Sequence, residues 1–202
     1  MPLPTVYSSK ESAIASYSYE DIAEGTGIKL FYGANQSTGG VKDYFLTTSS
    51  LYSNDIYSDI GASGAYVDFD VMMNTPRTIK GNAYFSATVG GNGDGSAVIG
   101  YKAILKHYDG GVGSGTILAT GASDLFTGAS GVPGGQPFTV LLPVTEQYFK
   151  AGDILRLTYI TQGAGAWTTK GFGHDPANRN ATTITGTQPT QLKLYIPFRI
   201  DL

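Results

Sequence analysis

Histidine and cysteine, two side chains that often perform acid–base or nucleophilic chemistry near neutral pH, are scarce in this sequence. The 202 residues include two histidines, His107 and His174, and no cysteine. A Ser-His-Asp hydrolase site would need one of these imidazoles as its general base. Ser96 and Ser114 lie in glycine-rich stretches that lack the strand-to-helix turn holding a nucleophilic serine, and such stretches are typical of hairpin loops. We therefore predict no catalytic residues and a protein that is not an enzyme.

The most distinctive local motif is His174-Asp175-Pro176. The aspartate can accept a hydrogen bond from the imidazole or from backbone N–H groups, and proline fixes the next φ angle. A turn that braces the surrounding loop explains the motif, and a metal or catalytic role is the alternative. Asn92 and Asp94 could offer oxygens to Ca²⁺, but their spacing differs from that of a calcium loop and favours an ordinary turn. The sequence thus predicts no metal site and no cofactor.

Aromatic side chains are the other candidates for binding. The chain has 14 Tyr, 9 Phe and 1 Trp. Exposed rings can stack on sugars, and at a subunit contact they bury a large area at low entropic cost. The alternative is that the tyrosines line half-buried sheet faces. We predict the following candidate interface or ligand contacts: Trp167, His174, Asp175, Tyr7 and Tyr17.

Alternating apolar residues predict the strands that must position these side chains. In the clearest strand, apolar residues from Leu192 to Ile200 alternate with mostly polar ones, as expected when one sheet face is buried. Pro197 cannot donate to a ladder, so we expect it at a sheet edge or with its missing N–H directed outward. Further strands are predicted at 28–32, 44–48, 67–73, 79–89, 98–108, 116–120, 138–142 and 154–161.

Glycine-rich turns at 90–95, 109–111 and 131–135 separate these strands. A short helical turn is expected at 145–149, and 163–191, which includes Trp167, is predicted to be a long irregular loop or an arm. Eight to ten strands with short connections predict an all-β fold, an antiparallel β-sandwich of jelly-roll type. We place this single domain at 19–202, after an N-terminal arm at 1–18 that could cross a neighbouring subunit.

Charge and hydropathy exclude several function classes. The net charge is −3, and the 13 Lys and Arg are spread without a basic run, which argues against direct nucleic-acid binding. No apolar stretch approaches the roughly 20 residues that span a bilayer, so no membrane association is expected. The first residues lack the pattern of a secretion signal, and we expect synthesis in a host cytoplasm.

Several short motifs resemble small structural proteins encoded in the genomes of tailed viruses. They are YEDIAEGTGIKLFYG at 19–33, FDV at 69–71, PRTIKG at 76–81, VTE at 144–146, FKAGD at 149–153, LRL at 155–157, GHDP at 173–176, TQLK at 190–193 and IPFRIDL at 196–202. The resemblance implies a jelly-roll-like sandwich on the virion, as a capsid decoration or cement protein. It carries over no catalytic residue.

These observations lead to one main hypothesis and three rivals. The main hypothesis is a virion structural protein on the capsid exterior, which packs as a homotrimer or other symmetric oligomer and contacts the major capsid protein. The first rival is a glycan- or receptor-binding module of a head fibre or tail that uses Trp167. The second is a single jelly-roll major capsid protein. A polysaccharide-cleaving enzyme comes last because it needs two carboxylates across a cleft.

Overall fold

The computed structural model describes residues 27–51, 53–59, 63–111 and 113–199, and this part of the chain forms β-strands joined by turns and loops. These ranges contain no α-helix, and a single 3₁₀ turn spans Asp109–Gly111. The strands are β1 (Ile28–Thr38), β2 (Val41–Thr47), β3 (Tyr57–Asp59), β4 (Tyr66–Met72), β5 (Arg77–Gly93), β6 (Val98–Tyr108), β7 (Thr116–Ala122), β8 (Phe126–Thr127), β9 (Gly134–Phe149), β10 (Ile154–Ala164), β11 (Trp167–Gly173) and β12 (Lys193–Arg199).

The strands follow one hydrogen-bonded order, β3-β11-β5-β12-β1-β2-β4-β10-β6-β7, with β9 paired to β5 and β8 to β6. The long strand β5 is central, because β9 pairs along one edge and β12 and β11 share the other. We call β3, β11, β5, β12, β1, β2 and β9 the first layer and β4, β10, β6, β7 and β8 the second. The path crosses from the first layer to the second where β2 pairs with β4 in parallel, at Phe45 and Asp70. The other strand pairs are antiparallel. The predicted all-β sandwich of jelly-roll type is confirmed.

Aromatic rings from both layers form the centre of the core. The ring centroids of Phe85 on β5 and Tyr101 on β6 are 5.0 Å apart in an edge-to-face arrangement. Phe172 on β11 stacks against Tyr159 on β10 at 4.1 Å. All four side chains are fully buried. Such pairs add about 0.5–1.5 kcal/mol each beyond the burial of apolar area, so they help to hold the two layers together.

The predictions for the segments 145–149 and 163–191 are wrong. Residues 145–149, expected to form a helical turn, continue β9, where Tyr148 lies opposite Thr78 and Phe149 opposite Arg77. Pairing with β5 outweighs the local helical tendency there, since Phe149 is fully buried in the strand. The segment predicted as one irregular loop at 163–191 contains β11, which is short and rich in glycine and threonine and therefore shows little apolar alternation.

The position of Pro197 also differs from the expected sheet edge. Its strand, β12, is internal and pairs with β1 on one side and β5 on the other. The register with β5 shifts between Tyr195 and Phe198, so Pro197 lies at an irregularity. A proline is tolerated there because the shift interrupts the ladder and no hydrogen bond from Pro197 is required.

Candidate functional site

His174 lies directly after β11, inside the sandwich. Its imidazole Nε2 is 2.9 Å from the hydroxyl of Ser58 on β3, and that hydroxyl is 2.7 Å from the phenol oxygen of Tyr44 on β2. The rings of Tyr44, Phe69 and Phe172 pack around the imidazole. The three polar groups thus form a hydrogen-bonded chain that joins three segments far apart in the sequence.

Burial lowers the pKa of His174 to about 4, although the nearby Asp55 carboxylate favours the protonated form. The imidazole is therefore neutral at pH 7. Among the described residues, the buried Nδ1 atom has no hydrogen-bond partner, so none of their carboxylates orients the ring as in a catalytic triad. Ser58 and His174 are 3% and 0% exposed. The Ser–His pair consequently has the composition of a hydrolytic site but gives a substrate no access in this conformation.

Asp175 is fully buried and organises the turn that follows β11. One carboxylate oxygen accepts hydrogen bonds from the backbone N–H and Nε of Arg179 at 2.6 and 3.0 Å, and the other accepts from Nη2 at 3.1 Å. The carbonyl of Asp175 accepts the N–H of Asn178 at 2.9 Å. The assignment of His174 and Asp175 as interface or ligand contacts stays a prediction.

Replacing Arg179 with alanine should destabilise the protein by roughly 1–2 kcal/mol, because the buried Asp175 carboxylate loses two charge-assisted hydrogen bonds from a half-exposed side chain. The matched control is Lys80→Ala, which removes an exposed ion pair with Glu146 and should cost about 0.5 kcal/mol or less. Urea unfolding of both variants measures the difference. Equal midpoints would show that the Asp175 turn does not depend on Arg179.

The second histidine, His107, belongs to a different structural unit. Its Nε2 lies 2.7 Å from a carboxylate oxygen of Asp153. Burial alone would raise the pKa of Asp153, but hydrogen bonds from His107 and from the N–H groups of Lys150 and Gly110 lower this pKa to about 2. Asp153 thereby closes the turn at 150–153 and anchors it to the 3₁₀ turn.

An ionic cluster that the sequence analysis missed lies across β4, β10 and β6. Arg156 binds both carboxylate oxygens of Asp70 at 2.6 and 2.7 Å and one oxygen of Asp68 at 3.1 Å. Its guanidinium also lies over the Tyr108 ring, 4.5 Å from the centroid. Asp68 and Asp70 are two positions apart in a predicted strand, so both carboxylates lie on one strand face. This spacing is the sequence pattern from which the cluster could have been predicted. The register of β4 with β10 was needed to bring Arg156 opposite them.

Trp167 lies at the start of β11 beside a surface pocket of about 200 Å³. Thr161 and Gln162 of β10 and Lys170 of β11 contribute to the same pocket. The indole is half-buried, and its six-membered ring packs against the backbone of Gly128. Among the predicted contact residues, Trp167 is thus placed beside a pocket, whereas Tyr7, Tyr17 and the whole proposed arm at 1–18 lie outside the described residues.

A row of apolar side chains crosses the outer face of the first layer. Leu141 of β9 lies opposite Tyr84 of β5, Tyr84 lies opposite Tyr195 of β12, and Tyr195 lies opposite Leu30 of β1. Tyr84 and Leu141 are 41% and 48% exposed, and the other two are half-buried. We call these four residues the Tyr84 face. The strand alternation sends their sequence neighbours Ala83, Val140 and Leu194 into the core.

In residues 27–51, 53–59, 63–111 and 113–199, no group of three or more His, Cys, Asp or Glu side chains is arranged to hold a metal ion. Those ranges also contain no helix of the length and apolar character needed to cross a membrane.

Comparisons with known proteins show only distant structural similarity. No protein-family model and no curated protein matches the sequence. A CocE/NonD family hydrolase from Staphylococcus aureus aligns with a TM-score of 0.47 and 13% identity over 83% of this chain and 36% of that one. The VP2 subviral particle of infectious bursal disease virus gives 0.34 and 12% over 84% and 37%. Eiger TNF from S. frugiperda gives 0.30 and 10% over 87% and 94%.

The chain therefore spans little more than a third of the length of the hydrolase and VP2 structures. Similarity at this level is limited to the general arrangement of strands. It assigns neither the chemistry of a hydrolase nor the role of a capsid subunit to this chain.

Proposed function

We propose that this protein is a structural component of a virus particle, which acts by packing the Tyr84 face against further copies of itself. Within that role, the proposal is a capsid decoration or cement protein that also contacts the major capsid protein on the capsid exterior. The proposal includes no catalytic activity. The observation that carries it is the row of apolar side chains across the outer face of the first layer, in which Tyr84 and Leu141 are more than 40% exposed.

The composition of the Tyr84 face supports contact with protein rather than water. Its four residues are two tyrosines and two leucines, and the row itself carries no charge. Tyrosine is enriched in the centres of protein interfaces, whereas lysine, glutamate and aspartate are depleted there. Contiguous apolar surface of this kind on a folded domain marks an interaction site.

A second copy of the chain is the occupant that this face fits best. Two identical faces without charge can meet without like-charge repulsion, and a two-fold axis would bring each row onto the other. A specific contact needs roughly 1,000 Å² or more of buried surface, so neighbouring residues on β5, β9 and β12 must join the four named side chains. Repetition of such contacts around a shell then stabilises it by avidity.

The test is the oligomeric state of the purified protein. We expect the wild type to sediment as a symmetric oligomer, and the double substitution Tyr84→Glu and Leu141→Glu to give a folded monomer, because two charges would be buried at the contact. The control is Ile117→Glu on β7, which is 60% exposed in the other layer and should leave the oligomer intact. A monomeric wild type, or an oligomer unaffected by the double substitution, would contradict the proposal.

The virion role has its own measurement. Mixed with viral shells, the wild-type protein should bind saturably at a fixed copy number related to the symmetry of the shell, and the double variant should bind with weaker avidity. If a map of the native particle placed this protein only at the tail, the decoration role would be eliminated. The proposed self-association would not be affected by that result.

A further inference from the structure

Part of the wall of the pocket beside Trp167 is formed by two glycines with positive φ angles, Gly163 and Gly165, which lie close to neighbouring backbone. An added Cβ at Gly163 would lie 2.2 Å from the carbonyl oxygen of Val98, and one at Gly165 would lie 2.6 Å from Cα of Ala97. Both glycines also have positive φ angles of 153° and 87°. The pocket wall that they form therefore tolerates only glycine at these positions.

The indole of Trp167 is fixed in place by glycines on its other side. A Cβ at Gly128 would lie 2.7 Å from Cη2 of the ring, and a Cβ at Gly91 would lie 2.9 Å from Cε3. The six-membered ring consequently packs directly against the backbone of these glycines, and a side chain at either position would collide with it. A rigid, half-exposed aromatic surface is the feature on which a sugar ring stacks.

A β-bulge brings a cation to the same pocket. Trp167 and Lys170 are three positions apart, so in a regular strand they would face opposite sides of the sheet. The register with β5 shifts between Trp167 and Thr169, and both Trp167 and Lys170 contribute to the pocket as a result. Bulges next to binding sites redirect side chains in this way.

The remaining polar groups of the pocket suit a polyhydroxylated ligand. Gln162 offers an amide, Ser63 offers a hydroxyl, and Thr161 in the wall has a buried hydroxyl without a hydrogen-bond partner among the described residues. The pocket volume of about 200 Å³ holds roughly seven waters, which is room for one sugar ring. The described residues of the lining include Lys170 and no acidic side chain, so the pocket favours an anionic ligand.

We propose that this pocket binds one pyranose unit of an acidic saccharide, with the sugar ring against Trp167, its carboxylate beside Lys170, and its hydroxyls bonded to Gln162 and Ser63. The ligand class is a polysaccharide that contains uronic acid. This inference is independent of the proposed self-association, because the Tyr84 face and the pocket share no residue.

Trp167 itself reports binding, since it is the only tryptophan in the chain. We expect oligogalacturonate to change the tryptophan fluorescence saturably, and neutral galactose oligomers of the same length to bind about tenfold more weakly. Lys170→Ala should weaken binding of the acidic oligomer by about tenfold and leave the neutral one unchanged. The control is Lys150→Ala, an exposed lysine in the turn after β9, which should bind like the wild type.

Two results would overturn this proposal. One is the absence of a saturable fluorescence change with oligogalacturonate at its highest soluble concentration. The other is equal affinity of the wild type and the Lys170→Ala variant for the acidic oligomer. Neither result affects the sedimentation test of the Tyr84 face, so failure of the saccharide site and failure of the structural role are distinguishable.

Discussion

Replacement of Gly90 with alanine should destabilise the protein by about 3–5 kcal/mol or prevent folding. In β5, an added Cβ at this position would lie 2.3 Å from the carbonyl oxygens of both Gly134 and Ile184, and 2.7 Å from Cα of Gly135. All three atoms belong to backbone, so no side chain can move to relieve the contact. The paired strands β5 and β9 would have to move apart at this point.

The matched control for this prediction is Gly134→Ala on the neighbouring strand. A Cβ there would meet only the ring of Phe126 at 3.4 Å, which is ordinary van der Waals contact. We expect that variant to lie within about 1 kcal/mol of the wild type. Guanidinium unfolding followed by circular dichroism compares the two. If both variants unfolded at the same denaturant concentration, close backbone approach would not explain the glycine at position 90.

Stability should fall by about 3 kcal/mol when the pH is lowered from 7 to 4, because of His174 alone. The pKa of this imidazole is lowered from 6.5 to about 4 in the folded protein, first by burial and also by Lys42, with Asp55 opposing. Between these two values the unfolded chain binds one more proton than the folded chain. The part of the unfolding free energy that depends on a neutral His174 is therefore fully present above about pH 6.5, and it is lost progressively as the pH falls to about 4.

Unfolding free energies measured by urea at several pH values test this expectation. His174→Gln keeps a polar partner for Ser58 but cannot be protonated, so the slope between pH 6.5 and 4 should disappear. The control is Lys80→Ala, whose exposed side chain lies in another part of the sheet, and this variant should retain the slope. A further loss of stability below about pH 4 is expected from Asp153, whose pKa is lowered to about 2. An unchanged slope in His174→Gln would contradict the role given to that imidazole.

The fold class could be predicted because strands with one wet face leave a clear alternation. The strand ending in Leu194, Ile196 and Phe198 and the long strand through Phe85 and Val89 were both recognised from their apolar periods. Strands without such a period were missed. The strand β11 contains Thr168, Thr169 and Gly171, and its neighbour β3 has only three residues, so neither shows a pattern that local sequence can reveal.

The glycines at 90–93 show why the candidate sites were harder to predict. Glycine clusters normally indicate turns, and 90–95 was predicted as one, yet β5 extends to Gly93. Here glycine serves close approach between strands and the packing of Trp167, which depends on register and on residues distant in sequence. The same holds for the pairs of His174 with Ser58 and Arg156 with Asp70, since single-sequence reasoning carries no information on which strands become neighbours.

The internal position of β12 has a consequence for biosynthesis. Its residues insert between β1 and β5, so the first layer cannot close until the ribosome has released 193–199. Pairing of segments this distant along the chain is slow, because the loop between them must be ordered first. Tyr195 belongs to β12 and completes the row from Leu30 to Leu141, so the Tyr84 face exists only after β12 has paired with both β1 and β5.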